Sequence, residues 1–235
     1  MKLVEHEANV SLQDAFEQFR KRKIETIKQV KQNPVHKHRT EEYKKILRQK
    51  FLDLIHSHKG IPYDRRNHPR DSDLFNAAYD LDCCALVRAA ICKMQDELGF
   101  KFGLWNQAYM FDTLPIRFET YDQMKSGDLI FYEGTYYDET KKPQKHNMVH
   151  VEVYDPTEDN RKRCFASRWN DGVIQWFDTF EFTASNWKLS KMWFCSIETW
   201  LDGVCCSNCN EHLWIIEETN LNKKSIFYDE SDYRA

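Results

Sequence analysis

The order of hydrophobic patterns along the chain limits its fold most: helical periodicity comes first and strand-like segments follow. Between residues 127 and 178, four short segments rich in β-branched and aromatic residues are bounded by turn formers: "GDLIFYEG", "MVHVEVYD", "RCFASRW" and "GVIQWFD". Before them, a stripe at helical spacing follows Thr40 and ends at Gly60: Tyr43, Ile46, Leu47, Phe51, Leu54 and Ile55. Helices followed by a run of strands predict an α+β fold rather than a wound parallel sheet.

Composition indicates how large a core the chain can form and in which compartment we expect it. Apolar residues make up 41% of the 235 residues, which is enough for a sizeable core. No stretch approaches the roughly 18 apolar residues that a membrane span needs. The opening "MKLVEHEANV" places acids where a signal peptide would have its apolar centre. We therefore expect a cytoplasmic protein whose eight cysteines are reduced.

Charge is distributed unevenly along the chain. Residues 20–59 contain thirteen Lys or Arg against four acids, although the net charge of the whole chain is −3. The segment predicts contact with an acidic protein partner, or alternatively a solvated helix face. Nucleic acid is not expected, because no aromatic–basic RNA-binding signature accompanies the charge. The predicted organisation is a basic helical extension (1–39), a core domain (40–200) and a Cys-containing tail packed on the core (201–235).

The stretch "LDCCALVRAAI" (81–91) places two cysteines in the first turn of a predicted helix. Asp82 is a natural N-cap, so Cys83 and Cys84 follow it directly. Unpaired backbone N–H groups and the helix dipole at this position lower a thiol pKa and favour the nucleophilic thiolate. The alternative is that both cysteines are small hydrophobes in a core helix.

Four segments, "KGIPY", "LDCCALVRA", "SGDLIFY" and "HVEVY", occur in an order and rough spacing that resemble the NlpC-type cell-wall endopeptidases. That family is a branch of the papain-like cysteine peptidases, and the resemblance covers residues of about 42 to 178. It implies a papain-like α+β core in which a helix-borne Cys packs on an antiparallel sheet, preceded here by the N-terminal helical extension.

The resemblance also assigns roles to residues. Cys83 would be the nucleophile, His150 the base, and Tyr63 a contributor to oxyanion stabilisation, with Asp82 in support. The implied activity is a thiol protease or amidase that cleaves amide or isopeptide bonds, including γ-glutamyl bonds, through an acyl-Cys83 intermediate. Its substrate would be a peptide or a modified protein, and no cofactor is expected.

Several positions depart from the family pattern, and one of them is a catalytic position. The third catalytic position, usually His, Asn or Gln, falls on Phe165, which cannot accept a hydrogen bond from an imidazole. Glu152, Ser167 and Asn170 are candidate orienting residues; otherwise the dyad works alone or catalysis is lost. Two rival functions therefore stay open: a Cys-dependent acyltransferase, and a catalytically impaired fold that binds an acidic partner.

A last cluster of metal-binding residue types lies near the C-terminus. Cys206, Cys209 and His212 provide half of a zinc site, but a second ligand pair at suitable spacing is missing. We therefore expect no metal and interpret the cluster as reduced cysteines.

Overall fold

The computed structural model describes residues 39–100, 102–103, 106–170 and 172–209. Its helices are α1 (Glu41–His56), α2 (Cys83–Lys93), α3 (Gln95–Leu98), α4 (Gln107–Thr113) and α5 (Glu198–Leu201). Its strands are β1 (Arg117–Phe118), β2 (Leu129–Tyr136), β3 (Met148–Tyr154), β4 (Cys164–Ser167), β5 (Ile174–Phe177) and β6 (Trp187–Cys195). The basic extension predicted for 1–39 lies outside the described residues except for Arg39.

The strands form one six-stranded sheet in the order β1-β6-β2-β3-β4-β5, with every neighbouring pair antiparallel. The predicted α+β class with an antiparallel sheet is therefore confirmed. Strand β6 was not predicted, although it pairs with β2 along its whole length. Its central residues are exposed and include Lys188 and Lys191, so the sequence lacks the apolar alternation of a half-buried strand.

Helix α1 begins where the sequence indicates. The Thr40 hydroxyl accepts the N–H of Tyr43 at 3.2 Å and caps the helix. The predicted stripe is buried at Leu47, Phe51 and Ile55, whereas Tyr43 and Ile46 at its edge are 39% and 57% exposed. The stripe is therefore narrower than predicted.

The helix that begins after Asp82 is shorter than its periodicity suggests. Met94 has φ −107° and ψ 12°, so the helical run divides there into α2 and α3. Gly99, at φ 76°, adopts the left-handed conformation and ends α3 as predicted. Every residue of α2 except Lys93 is buried, so this helix is central to the molecule.

The sheet has an apolar layer on each face. On the face toward α1, α2 and α4, the core includes Leu129, Phe131, Val151, Val153, Phe165 and Cys195. A second cluster contains side chains at the alternate strand positions, including Ile130, Tyr132, Tyr154 and Cys164. This alternation follows from the two-residue period of a strand. It also decides which side chains of β3 can meet those of β2 and β4.

The segment after β6 packs on the helical layer, as the aromatic residues there predict. Trp200 is fully buried, and its indole N–H donates to the Thr113 hydroxyl at 3.0 Å. Residues 210–235 lie outside the described part of the chain. Among the described residues, no helix is long and apolar enough to cross a membrane.

Part of the basic segment 20–59 is described, and several of its cations are used within the chain. Arg48 forms ion pairs with Asp128 at 2.7 Å and with Glu198 at 3.0 Å. Lys44 pairs with Glu198 at 3.0 Å, and Lys50 pairs with Glu97. An acidic partner for this segment stays a prediction, and it would depend chiefly on residues 20–38.

Candidate active site

Cys83 is the first residue of α2, as the sequence predicts. The Asp82 carboxylate accepts the N–H of Ala85 at 2.7 Å and the thiol of Cys84 at 3.1 Å. Asp82 therefore caps the helix and fixes the neighbouring thiol of Cys84. Of the two adjacent cysteines, Cys84 is therefore the one whose thiol is held by a hydrogen bond to the helix cap.

The start of α2 lies against the edge of β3. Within the described residues, β4 pairs with β3 at Val153 and Tyr154, near the end of β3. Nearer its start, the backbone N–H of Val151 donates to the Cys83 sulfur. Cys83 therefore contacts the residue that directly follows His150 along the strand.

The resting thiol of Cys83 is protonated. A hydrogen bond with Cys84, followed by burial and the negative charges nearby, raises the pKa of Cys83 well above its ordinary value. The N–H of Val151 acts in the opposite direction but does not prevail. The sequence-based prediction of a lowered pKa is therefore wrong, because burial and the paired thiol outweigh the helix N-terminus.

His150 and Glu152 are neighbours on one face of β3. They are two residues apart, so their side chains project to the same side. Nε2 of His150 lies 3.0 Å from Oε1 of Glu152, and both side chains are buried. Among the orienting residues predicted from the sequence, Glu152 is thus the one in contact with the imidazole.

Arg168 holds the Glu152 carboxylate from the other side. Its Nε donates to Oε1 at 2.6 Å, and a terminal nitrogen donates to Oε2 at 3.0 Å. The guanidinium lies between the rings of Phe177 and Phe182, 3.9 Å from each centroid. This bidentate, stacked arrangement fixes the carboxylate in one orientation.

Two further groups complete the surroundings of Glu152. The Tyr132 hydroxyl lies 2.9 Å from Oε2, and the Cys164 thiol donates to the same oxygen at 3.0 Å. Burial raises the pKa of Glu152, but the hydrogen bonds from His150 and Arg168 prevail and lower it to about 2. Glu152 is therefore an anion at neutral pH and can only accept hydrogen bonds.

The charge of Glu152 sets the tautomer of His150. A carboxylate beside Nε2 requires that this nitrogen carry the proton. In the neutral imidazole, Nδ1 is then the acceptor, which is the state that a general base for a thiol needs. Glu152 therefore makes the contact with the imidazole that Phe165 cannot make.

Acid should remove the stabilisation that Glu152 provides. Because its folded-state pKa of about 2 lies below its ordinary value of 4.5, its contribution is present above about pH 4.5 and is lost as the pH falls toward 2. The full contribution corresponds to about 3 kcal/mol. Urea unfolding measured across this range should show a shallower acid loss in the double variant Glu152→Gln/Arg168→Met. Equal acid losses in the two proteins would contradict the assignment.

A cavity of about 540 Å³, including its solvent-open mouth, lies beside His150. Tyr63, Tyr136, Lys141, Trp169 and Asn170 also contribute to its wall. Burial and then the nearby Cys83 raise the pKa of the Tyr63 hydroxyl, so it is a neutral donor at physiological pH. Trp169 packs edge-on against Tyr63 at 5.4 Å and is 47% exposed, and the cavity stays open.

The structure places Tyr63 and His150 on the wall of one cavity, with Glu152 against the imidazole, whereas Cys83 is not among the residues that line it. Within the residues that are described, no hydrogen bond joins the Cys83 thiol to the imidazole of His150. Catalytic hydrogen bonds are often formed only when substrate is bound.

The other predicted orienting residues have different contacts. The Ser167 hydroxyl donates to the Leu81 carbonyl at 2.6 Å. The Asn170 amide donates to Thr183 O at 3.4 Å, and its oxygen accepts from Ser185. Neither contacts His150 in the described structure. Ser167 instead anchors the segment that leads into α2.

Phe165 is directed away from His150. Its ring packs against His56 at 5.1 Å and Trp176 at 4.9 Å, within the core on the helical face. Because Glu152 and Cys164 occupy alternate positions, they meet on the other face. Phe165 therefore leaves the cavity open and plays a packing role.

Removing the Ser167 hydroxyl should loosen the start of α2. In Ser167→Ala the buried carbonyl of Leu81 loses its donor, so we expect the free energy of unfolding to fall by about 1–3 kcal/mol. Ser185→Ala is the matched control, because its exposed hydroxyl bonds only Asn170; its expected change is below about 0.5 kcal/mol. Chemical denaturation checks both. Equal losses of unfolding free energy in the two variants would show that the hydrogen bond to Leu81 stabilises the protein no more than the exposed one does.

Sequence reasoning did not identify Arg168 or Tyr132 as site residues. Arg168 follows β4 directly, and Tyr132 lies opposite His150 in the β2–β3 register. Glu152 is buried, so a cation must compensate its charge, but that burial was not predicted from the sequence. Which cation lies beside Glu152 depends on the register in which β4 pairs with β3, and local sequence does not specify that register.

The predicted trio of Cys206, Cys209 and His212 is incomplete in the described residues, because His212 lies outside them. Cys209 instead lies near Asp112 and His146. Asp112, His146 and Cys209 are not among the residues that line the cavity beside His150.

Comparison with known proteins gives structural similarities only, since no family model and no curated protein matches the sequence. The structure of NlpC2 from Trichomonas vaginalis is 15% identical, with a TM-score of 0.39, and the match covers 62% of this chain. The chain spans only 45% of that structure. The similar structures are those of NlpC/P60 proteins, which is the family that the sequence motifs resemble.

Two mycobacterial structures are also similar. The peptidoglycan hydrolase RipB from Mycobacterium tuberculosis is 15% identical with a TM-score of 0.41, covering 80% of this chain and 86% of that one. The P60 domain of an antigen from M. avium subspecies paratuberculosis is 15% identical with a TM-score of 0.38, covering 66% and 96%.

Proposed function

We propose that the protein is a cysteine hydrolase that cleaves amide or isopeptide bonds, with Cys83 as nucleophile and His150 as general base. The observation that carries the proposal is the anionic Glu152 on Nε2 of His150, held by Arg168. This contact leaves Nδ1 as the acceptor of His150, a residue of the cavity wall. A buried carboxylate that fixes an imidazole tautomer is the arrangement that nucleophilic catalysis requires.

The reaction would proceed in two steps. The Cys83 proton passes to Nδ1 of His150 as the sulfur attacks the carbonyl carbon of the substrate. The resulting oxyanion would accept hydrogen bonds from the Cys83 backbone N–H and the Tyr63 hydroxyl. Collapse breaks the C–N bond, and His150 donates its proton to the departing amine. Water, deprotonated by His150, then hydrolyses the thioester and restores the thiol.

The cavity wall favours a substrate that retains a free carboxylate near the scissile bond. Lys141 brings a positive charge to the wall, where its ammonium also lies 5.0 Å from the centre of the Tyr136 ring. A γ-linked glutamyl group keeps its α-carboxylate, and an α-linked one keeps its γ-carboxylate. The charge of Lys141 therefore supports a glutamyl substrate, and the γ-linkage is what the motif resemblance implies.

Hydrolysis of γ-glutamyl-alanine and α-glutamyl-alanine tests this proposal, with release of alanine as the readout. We expect faster cleavage of the γ-linked isomer. Lys141→Gln should raise KM for it by about fivefold or less with little change in kcat, because partly exposed charge pairs are weak. Cleavage of neither isomer, nor of any γ-glutamyl isopeptide, would contradict the proposal.

Acyl transfer uses the same thioester and is separated by its products. Adding glycinamide as an amine acceptor should leave most of the γ-glutamyl group as free glutamate if the protein is a hydrolase. Predominant γ-glutamyl-glycinamide would identify an acyltransferase instead.

A second candidate, a binding protein that lacks catalysis, is favoured by one observation. The Cys83 thiol bonds with Cys84 and Val151 and has a raised pKa, which suits a packed side chain as well as a resting nucleophile. This alternative does not explain why a buried carboxylate is held on Nε2 of His150. Unchanged binding of a peptide ligand in Cys83→Ala, together with no turnover by the wild type, would favour it.

A further inference from the structure

Three side chains of metal-binding types meet at the end of α4. One ligand atom each from Asp112, His146 and Cys209 lies within 4.8 Å of the others. They come from separate parts of the chain: Asp112 from α4, His146 from the turn before β3, and Cys209 from the segment after α5. We propose that these three residues form a zinc site.

The donor set and its spacing suit zinc. Imidazole nitrogen, thiolate sulfur and carboxylate oxygen together select zinc over magnesium or calcium, which prefer oxygen ligands. In a tetrahedral site with bonds of about 2.0–2.3 Å, ligand atoms lie roughly 3.3–3.8 Å from one another. Nε2 of His146 is 3.8 Å from Oδ1 of Asp112, about 0.4 Å beyond the roughly 3.3–3.4 Å between a nitrogen and an oxygen ligand in such a site. A rotation of the Cys209 side chain would bring the sulfur into range.

The surroundings of Asp112 hold its carboxylate in place. The residue is 1% exposed, and its second oxygen, Oδ2, accepts the hydroxyl of Ser207. The backbone and side-chain amides of Asn208 both donate to the main-chain oxygen of Asp112, each at 3.1 Å. Such outer hydrogen bonds orient metal ligands, and here they also hold the segment that carries Cys209.

The turn that presents His146 has an unusual backbone. His146 and Asn147 have φ of 55° and 52°, in the left-handed region that residues other than glycine seldom adopt. His146 also packs edge-on against Phe111, with ring centroids 5.4 Å apart. The turn therefore directs the ring of His146 toward α4.

Binding would proceed without any redox change. Zn²⁺ would replace the thiol proton of Cys209, so the thiolate and the Asp112 carboxylate together balance its charge, and one proton is released. A water molecule would occupy the fourth position. Because His146 precedes His150 by four residues, the metal would tie the C-terminal segment to the start of the strand that carries the proposed base.

Metal content of the untagged full-length chain tests the site. After dialysis against metal-free buffer, we expect about one zinc ion per chain by plasma mass spectrometry. His146→Ala and Cys209→Ser should each reduce the zinc content by about tenfold or more. Cys206→Ser is the matched control, because Cys206 is a nearby thiol outside the proposed ligand set, and it should keep its zinc.

Cobalt(II) added to the wild-type chain provides a second measurement, and the wild-type result does not depend on how the variants fold. We expect a thiolate-to-cobalt charge-transfer band, which Cys209→Ser removes and Cys206→Ser retains. Absence of that band in the wild type, or a zinc content below about a tenth of an ion per chain, would overturn the site. Equal losses in Cys206→Ser and Cys209→Ser would overturn the ligand assignment.

Discussion

Replacing Cys83 by alanine is expected to lower the rate of γ-glutamyl bond cleavage by about 10⁴-fold or more, because the acyl intermediate can no longer form. The free energy of unfolding should change far less, since the lost sulfur is small and the cap at Asp82 remains. The rate of amine release from γ-glutamyl p-nitroanilide, with protein concentration set by folded content, measures the effect.

Cys84→Ala is the matched control for this loss. It removes the adjacent thiol, which bonds with Asp82 and raises the pKa of Cys83. With that hydrogen bond removed, the Cys83 thiol should ionise more easily, so activity should be retained within about fivefold or should increase. A loss in Cys84→Ala as large as that in Cys83→Ala would show that the two thiols have been assigned in the wrong order.

Glu152→Gln is expected to lower kcat by about 10³–10⁴-fold with a much smaller effect on KM. The neutral amide can donate to Nε2 of His150, which moves the imidazole proton to Nδ1 and blocks proton transfer from Cys83. The same change leaves Arg168 buried without a counter-charge, which costs about 3–5 kcal/mol of stability. Steady-state kinetics and urea unfolding measure the two effects separately.

The double variant Glu152→Gln/Arg168→Met separates positioning from folding. It removes both buried charges together, so stability should largely recover, whereas kcat should stay low because the tautomer is still wrong. Glu133→Gln, on the neighbouring strand β2, controls for loss of a strand carboxylate and should leave kcat unchanged. Recovery of kcat in step with stability would mean that Glu152 serves only the fold.

Local chemistry explains why the first residues of the helices could be predicted. Thr40 and Asp82 cap their helices through side chains three residues from the N–H groups they accept. Gly99 stops α3 through its left-handed backbone. Each of these helix ends depends on a few consecutive residues, so it can be predicted from the local sequence.

The contacts within the candidate active site were harder to predict, because they depend on the register of strands that are distant in the sequence. Glu152 was one of three orienting candidates, and its choice follows from the two-residue spacing to His150 along β3. Arg168 reaches Glu152 because it directly follows β4, which pairs with β3 at Val153. The raised pKa of Cys83 also depends on burial under the sheet, which the sequence of α2 alone does not specify.

In the proposed mechanism, Cys83 is the nucleophile and His150, held by Glu152, activates it. The most direct measurement is the site of covalent modification by a γ-glutamyl vinyl sulfone, mapped by peptide mass spectrometry. We expect modification at Cys83 in the wild type, and at least about a hundredfold slower modification in His150→Ala. Modification at another cysteine, or an equal rate in His150→Ala, would contradict it.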